Sequence, residues 1–306
     1  MNITITGNLG SGKTSVCKEL KKMGFAIVSA GDIFRELAAE KGMTVIELNE
    51  AAKSDRSIDD MLDQRSSELG RKMDQTVFDS RLAWHFAAHS FKVFLLVDTQ
   101  EAARRVFAGD SRNAENYADV KEAEIGLKTR ARLEQERFAN LYGLDYYDAS
   151  NYDLVIESSM ASPQQLAQEI IRNFEQYQKE PFSTKAELNL QGFYPQKRFA
   201  QMDLKRLEHC RRQEEQTPGL CAIGKPDLAV KNGYYCIEKG HHAVFAAIAA
   251  GKVFAQAGSI RIDDADGNKE WAVTAQDLAA FEQAGNFQYY TNPALQREKP
   301  GCGIKF

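Results

Sequence analysis

Short apolar runs alternate with longer amphipathic stretches through the first 180 residues of this 306-residue chain. "NITIT", "FAIVS", "QTVFDS", "FKVFLLVD" and "YDLVIES" have the length and the β-branched or aromatic content of buried strands. Between and after them lie stretches of helical periodicity: "SVCKELKKM", residues 30–72, an Arg-rich segment over 101–142, and "SPQQLAQEIIRNFEQYQ". Strands and helices in alternation predict an α/β fold with a parallel sheet, whose ligands sit at the carboxyl ends of the strands. The rhythm stops at "KEPFSTKAE", which predicts a boundary near residue 180 and a smaller α+β region over 181–306. In that second region "MDLKRLEHCRRQEEQ" reads as a helix, an "NG" turn divides two strand-like runs, and an alanine-rich helix follows.

The first strand runs directly into "GNLGSGKT", residues 7–14, which fits G-x-x-x-x-G-K-[ST]. Strand, glycine loop and helix in that order form a cradle for phosphate. Gly7, Gly10 and Gly12 let the backbone turn its N–H groups inward, beside the positive end of the following helix. Ser11 and Ser15 flank the turn. Lys13 is expected along the β- and γ-phosphates of ATP, and the Thr14 hydroxyl on Mg2+.

Composition narrows the partners. Hydrophobic residues at 43% and charged residues at 27% describe a globular chain, and the net charge of −4 advertises no nucleic-acid partner. No apolar run approaches the ~20 residues of a membrane span, and a functional loop at residue 7 leaves no room for a signal peptide, so a cytoplasmic protein is expected. The five cysteines, Cys17, Cys210, Cys221, Cys236 and Cys302, are odd in number and scattered, which suits reduced thiols.

Acids and cations beyond the loop complete the chemistry. Asp79 closes the apolar "TVF" run, where an acid holding magnesium through water belongs, although a turn acid there is the simpler structural alternative. Arg81 follows two residues later. Asp98, at the end of the next strand, reads more simply as a helix cap. "SAGDIFRELA" places Ser29 and Asp32 at a strand-to-helix junction with Arg35 one turn on, a fork suited to a second phosphate. Arg130 and Arg137, seven apart, project from nearly the same side of a helix, an arrangement that makes sense around an anion.

Residues 1 to about 180 closely resemble the archaeal-type cytidylate kinases, a branch of the nucleoside monophosphate kinases, through "ITITGNLGSGKTSV", "IVSAGDIFRELAAEKGM", "SIDDMLDQR", "DSRLAW", "FKVFLLVD", "RFANLYGLD" and "NYDLVIE". The resemblance implies a five-stranded parallel sheet flanked by a mobile monophosphate-binding arm and a lid. It implies an ATP- and Mg2+-dependent transfer to a nucleoside monophosphate, CMP or dCMP. Carried over by position, Gly10, Gly12, Lys13 and Thr14 hold the ATP phosphates and metal, with Asp79. Ser29, Arg35 and Arg81 contact the monophosphate, beside Asp32. Asp59, Asp63 and Arg65 fall in the acceptor-base arm, Arg104 and Arg105 open the lid helix beside the nucleotide, and Arg130 and Arg137 close over the transferred phosphate.

The chain departs from the family at Ser66, where glutamine is common, and at Ser80, where glycine is usual. Both changes lie near the acceptor and leave its identity open, with another small metabolite as the alternative substrate. A second alternative is a nucleotide-responsive regulatory protein without turnover. In the C-terminal part, "NGYYCIEKGHHAVFAAIAAGK" resembles ParB/sulfiredoxin-like domains, implying a phosphate or nucleotide site at Gly240, His241 and His242, with Ala243 in place of the usual arginine. Two weaker signals are His85 with His89, at metal-ligand spacing on a helix, and Cys210 beside His209 with Cys221 and Cys236, against ordinary packing in each case.

Overall fold

The structure, a computed structural model, describes residues 1–52, 55–109, 117–190, 193–195, 203–217, 224–231, 234–256 and 259–262. The five expected strands are present: β1 (Asn2–Gly7), β2 (Ala26–Ser29), β3 (Thr76–Asp79), β4 (Ser90–Leu96) and β5 (Leu154–Glu157). They lie parallel in the order β5-β4-β1-β3-β2. Because β1 is central and the chain leaves it toward β2 before returning through β3 to β4, the crevice between the ends of β1 and β3 is a topological switch point.

The helices subdivide the stretches read from periodicity. α1 (Lys13–Lys22) follows β1. The charged stretch over 30–72 forms three helices, α2 (Ala30–Glu40), α3 (Val45–Ala51) and α4 (Ser57–Lys72). Ser29 sets the start of the first and Thr44 the break before the second, since each caps the next helix in a reciprocal capping box with Asp32 or Glu47. A short helix, α5 (Ala83–Phe86), precedes β4. The Arg-rich segment gives α6 (Thr99–Ala108) and α7 (Val120–Tyr142), and α8 (Pro163–Lys179) closes the region. Asp98 caps α6 by accepting from the Glu101 N–H at 2.9 Å, as its sequence context suggested.

Alternation along β4 buries both faces of the sheet. Phe91, Val93 and Leu95 pack with Val16 and Leu20 of α1 and Leu166, Ile170 and Phe174 of α8. Phe94 and Leu96 point the other way, into a cluster with Trp84, Tyr146 and Tyr152. Buried apolar side chains of this size contribute roughly 1.5–3 kcal/mol each, so these two layers fix the sheet under the loop that follows β1.

The sheet continues past residue 180. β6 (Lys185–Asn189) pairs parallel with β5, and β10 (Phe254–Gln256) pairs antiparallel with β6, giving seven strands in one sheet. A second, four-stranded sheet has the order β11-β8-β9-β7, built from β7 (Phe193–Pro195), β8 (Asp227–Lys231), β9 (Tyr234–Lys239) and β11 (Ser259–Ile262). β8 and β9 are antiparallel, as the two runs around the "NG" turn predict, although the turn itself lies outside the described residues. The helices α9 (Leu204–Gln216) and α10 (His241–Ala249) pack against each other, and Leu228, Ile237, Val244 and Ala247 join the same buried cluster as Phe94 and Tyr152. The expected boundary thus falls in the connection between α8 and β6, with a shared core across it. Among the described residues no helix is long and apolar enough to cross a membrane.

A chain ending at residue 180 leaves the edge of β5 unpaired and strips Leu188, Phe193, Val244 and Ala255 from the core. Calorimetry should find its Tm lower by roughly 10 °C or more, from several buried side chains at about 2–4 °C per kcal/mol. An unchanged Tm would mark everything after α8 as an independent appendage.

Candidate active site

The loop after β1 is shaped by two close approaches. At Gly7 a side chain would begin 2.5 Å from the Leu95 carbonyl oxygen, and at Gly10, with φ of 77°, it would meet the Ala102 side chain at 2.8 Å. Glycine is therefore required at both. Among the described residues the backbone N–H groups of Gly12, Lys13 and Thr14 donate to no protein acceptor, and the buried Ser11 hydroxyl has no hydrogen-bond partner. Outward-pointing amides at a helix start, with a serine hydroxyl enclosed beside them, fit the oxygens of a polyphosphate. The Thr14 hydroxyl and the Asp79 carboxylate supply the hard oxygen donors that suit Mg2+.

The strands carry the next residues into place by register. Asp79 pairs across the sheet with Ile5 of β1 and with Ser29 of β2, so Ser29 and Asp79 end adjacent strands side by side. Thr6 of β1 donates through its hydroxyl to the carbonyls of Ser80 and Arg81, at 3.1 and 3.3 Å, which fastens the loop bearing Arg81 beside the glycine loop. Sequence reading did not single out Thr6. Its hydroxyl in a β-branched run looks like ordinary strand composition.

Lys13, Asp79 and Arg81 share one partly dry crevice. Burial and then the Arg81 guanidinium push the Lys13 ammonium down to about 8, with Asp79 partly opposing them. Burial likewise raises the Asp79 carboxyl above the usual carboxylate range in spite of Lys13 and Arg81. The nearby Cys17 thiol, enclosed in the core under α1, is pushed up to about 12 by burial and serves packing rather than chemistry. Arg81 donates from Nε to Glu134 Oε2 at 2.8 Å, and Arg130 donates from Nε to Glu134 Oε1 at 3.1 Å. One acid on α7 therefore joins an arginine of the β3 loop to an arginine one turn away on its own helix, and Glu134 is absent from the residues picked out by sequence.

Further along α7, Arg137 donates to both oxygens of Asp59 on α4, at 2.9 and 3.1 Å, and the Tyr142 hydroxyl donates to Asp63 at 2.9 Å. These contacts flank a cleft of 850 Å3 whose lining includes Phe34, Asn49, Arg56, Asp59, Arg137 and Asn140. Its volume suits a nucleotide. Burial pushes the Asp63 carboxyl up to about 6; Tyr142 opposes this, and the nearby acids Asp59 and Asp60 add to it. Ser66 donates into its own helix, to the Leu62 carbonyl at 2.8 Å.

The other predicted residues make contacts within the protein. Asp32 accepts from the backbone and hydroxyl of Ser29 and from Arg35 at 2.6 Å, so these three form the capped start of α2 at the end of β2. Arg65 grips Glu40 at 2.7 and 2.8 Å and ties α4 to α2, and Arg104 lies beside Glu101 on the exposed side of α6. Arg105 donates to the Ser158 and Ser159 carbonyls at 2.7 and 2.8 Å, with its other branch 3.5 Å from the Gly10 and Ser11 carbonyls. It therefore braces the glycine loop against the turn after β5. Ser15 is exposed on the first turn of α1.

The weaker signals resolve into packing. α5 ends at Phe86, so His85 and His89 do not share a helix, and His85 packs edge-on against Trp84 and Phe86. Cys210 is buried on α9, Cys221 lies outside the described residues, and no metal-binding cluster of three or more His, Cys, Asp or Glu occurs among the described residues. Gly240, with φ of 91°, turns β9 into α10, where His241 is buried and His242 Nε2 accepts from the Asp203 N–H at 3.2 Å.

Residues 2–160 match the Cytidylate kinase-like family. The cytidylate kinase of Methanocella arvoryzae is 41% identical over 160 residues, covering 52% of this chain and 88% of that protein. The cytidylate kinase of Methanothermobacter thermautotrophicus is 34% identical over 160 residues, covering 52% of this chain and 96% of that protein. Among solved structures, shikimate kinase from Bacteroides thetaiotaomicron aligns with 58% of this chain and 98% of its own, at 17% identity and a TM-score of 0.42. The matched stretch spans β1 through β5 with the glycine loop, Asp79, Arg81 and the whole of α7. The chain belongs to the cytidylate kinase-like family.

Proposed function

We propose that this protein transfers the γ-phosphoryl group of ATP to a nucleoside monophosphate, CMP or dCMP, giving ADP and the diphosphate. The observation that carries the proposal is the charge relay from the glycine loop to the lid helix: Lys13 beside Asp79 and Arg81, and Arg81 joined through Glu134 to Arg130. It lies between an anion cradle at the loop and the cleft beside Asp59 and Arg137. The relatives called cytidylate kinases support the choice of acceptor.

The chemistry asks for position and charge neutralisation. The attacking atom is a phosphate oxygen, already ionised near neutral pH, so no side chain must remove a proton from it. The amides of Gly12, Lys13 and Thr14 would hold the β- and γ-phosphates, with Lys13 neutralising the charge that moves between them. Thr14 and Asp79 would hold Mg2+, which would supply Lewis-acid stabilisation of the phosphate oxygens. Ser29, Arg35 and Arg81 would seat the acceptor phosphate, and Arg130 and Arg137 would close from the lid helix. Asp59 and Asp63 would accept from the exocyclic amino group of cytosine, a donor that uracil lacks. An ATP-dependent transfer of this kind would suit the cytoplasm, where ATP is plentiful.

Following ADP formation with ATP, Mg2+ and a panel of monophosphates tests the reading. Turnover with CMP or dCMP well above that with AMP, GMP or UMP supports it, and no acceptor-stimulated ADP contradicts it. Lys13→Ala should lower kcat by about 100-fold or more, the scale of removing one transition-state donor, while leaving the circular dichroism spectrum unchanged. Retained activity would remove Lys13 from the mechanism. The Asp63 carboxyl, pushed up to about 6 by burial, is a charged acceptor through both oxygens only when ionised, so that contribution is present above this value and fades as pH falls through it. The KM for CMP is therefore expected to rise about fivefold between about pH 6 and pH 5, and in Asp63→Asn to be high and flat. A wild-type KM that does not change there would contradict the role.

A further inference from the structure

Glu134 is an unexpected group to find beside a phosphate site. A carboxylate there repels the ligand, and phosphoryl transfer between two phosphates gives it no proton to take. Yet it lies between the Arg81 and Arg130 side chains, with both it and Arg81 only about one-fifth exposed, at 21% and 20%. Burial alone would raise its carboxyl, but Arg81 and then Arg130 outweigh that and hold it below the ordinary range.

The geometry of the two contacts is informative. Each guanidinium meets Glu134 through Nε, one on each carboxylate oxygen. A planar guanidinium gripped at Nε has its plane fixed, and its paired terminal nitrogens form the edge suited to a phosphate fork. The two arginines also belong to different parts of the fold. Arg81 is anchored through Thr6 to β1, at the carboxyl ends of the strands, and Arg130 rides on α7. Glu134 sits one turn from Arg130 on that same helix, so it moves with the lid while reaching the fixed part.

Resting on the reading given above, we infer that Glu134 is a positioning residue for the phosphoryl transfer: its two oxygens orient Arg81 and Arg130 together, so that docking of α7 and presentation of both guanidinium groups to the phosphates become one event. It contacts no reacting atom itself. Without it the two cations repel each other, and the lid closes with its arginine at variable angles.

The test compares the full-length wild type with Glu134→Gln, whose amide presents one oxygen and an NH2 group that clashes with one Nε–H. kcat is expected to fall at least about tenfold, with the KM for ATP within about twofold and circular dichroism unchanged, the pattern of a contact that matters in the transition state. In the Arg130→Ala background the same substitution should cost at least threefold less, because half of what Glu134 orients is gone. A wild-type kcat in Glu134→Gln, or losses that multiply in full with Arg130→Ala, overturns the inference. Hydrogen exchange of residues 120–142 on adding ATP alone gives a readout independent of the acceptor. Protection should appear in the wild type and be reduced in Glu134→Gln, and equal protection in both also overturns it. If the wild type turns over no monophosphate while that difference persists, the functional proposal fails and the positioning role of Glu134 stands.

Discussion

Like charges gathered in a half-dry crevice repel, and the candidate site depends on how that repulsion is held in check. Lys13, Arg81 and Arg130 converge from a helix start, a strand-end loop and the lid helix. Asp79 and Glu134 are placed among them. Burial first, and the Arg81 guanidinium after it, hold the Lys13 ammonium down to about 8 in spite of these acids. Phosphates entering this space would relieve the repulsion, because they bring the negative charge that the crevice lacks. Binding energy of that kind is available without any large rearrangement of the sheet.

The fold makes this crowding possible by fastening the strand ends to one another and bringing the helices against them through polar contacts. β1 and β3 end side by side at the switch point, and Thr6 binds the end of one to the loop leaving the other. The helices α4 and α7 meet through surface contacts between polar side chains, Arg137 with Asp59 and Tyr142 with Asp63. An exposed ion pair such as Arg137 with Asp59 is worth about 1 kcal/mol or less, so the contact between α4 and α7 adds little stability there.

What the sequence disclosed follows from how local each signal is. The glycine loop, the five strands, the strand-to-helix junction at Ser29 and the cap at Asp98 are encoded within a few neighbouring residues, and all are present. Asp79 and Arg81 were visible because strand ends are the ligand-facing ends of a parallel sheet. Glu134 was not, since an acid four residues from an arginine reads as one more solvated helix pair until Arg81, 53 residues away, is seen on its other side. Arg65 shows the converse: its motif position points to the acceptor arm, but Glu40 lies within reach across α2 and takes it. The sixth and seventh strands escaped notice for a related reason. β6 follows Pro181, and its partner β10 lies some 65 residues downstream, so pattern alone gives no hint that both complete the first sheet.

The central claim is that one cationic well holds the donor and acceptor phosphates at once. A crystal structure with a bisubstrate ligand, adenosine and cytidine joined through a phosphate chain, examines it directly. The account predicts that Arg81 and Arg130 both lie within hydrogen-bonding distance of the bridging phosphates, with the adenosine end beside Lys13 and the cytidine in the cleft at Asp59. Either arginine turned to solvent, or the cytidine end outside that cleft, would contradict it.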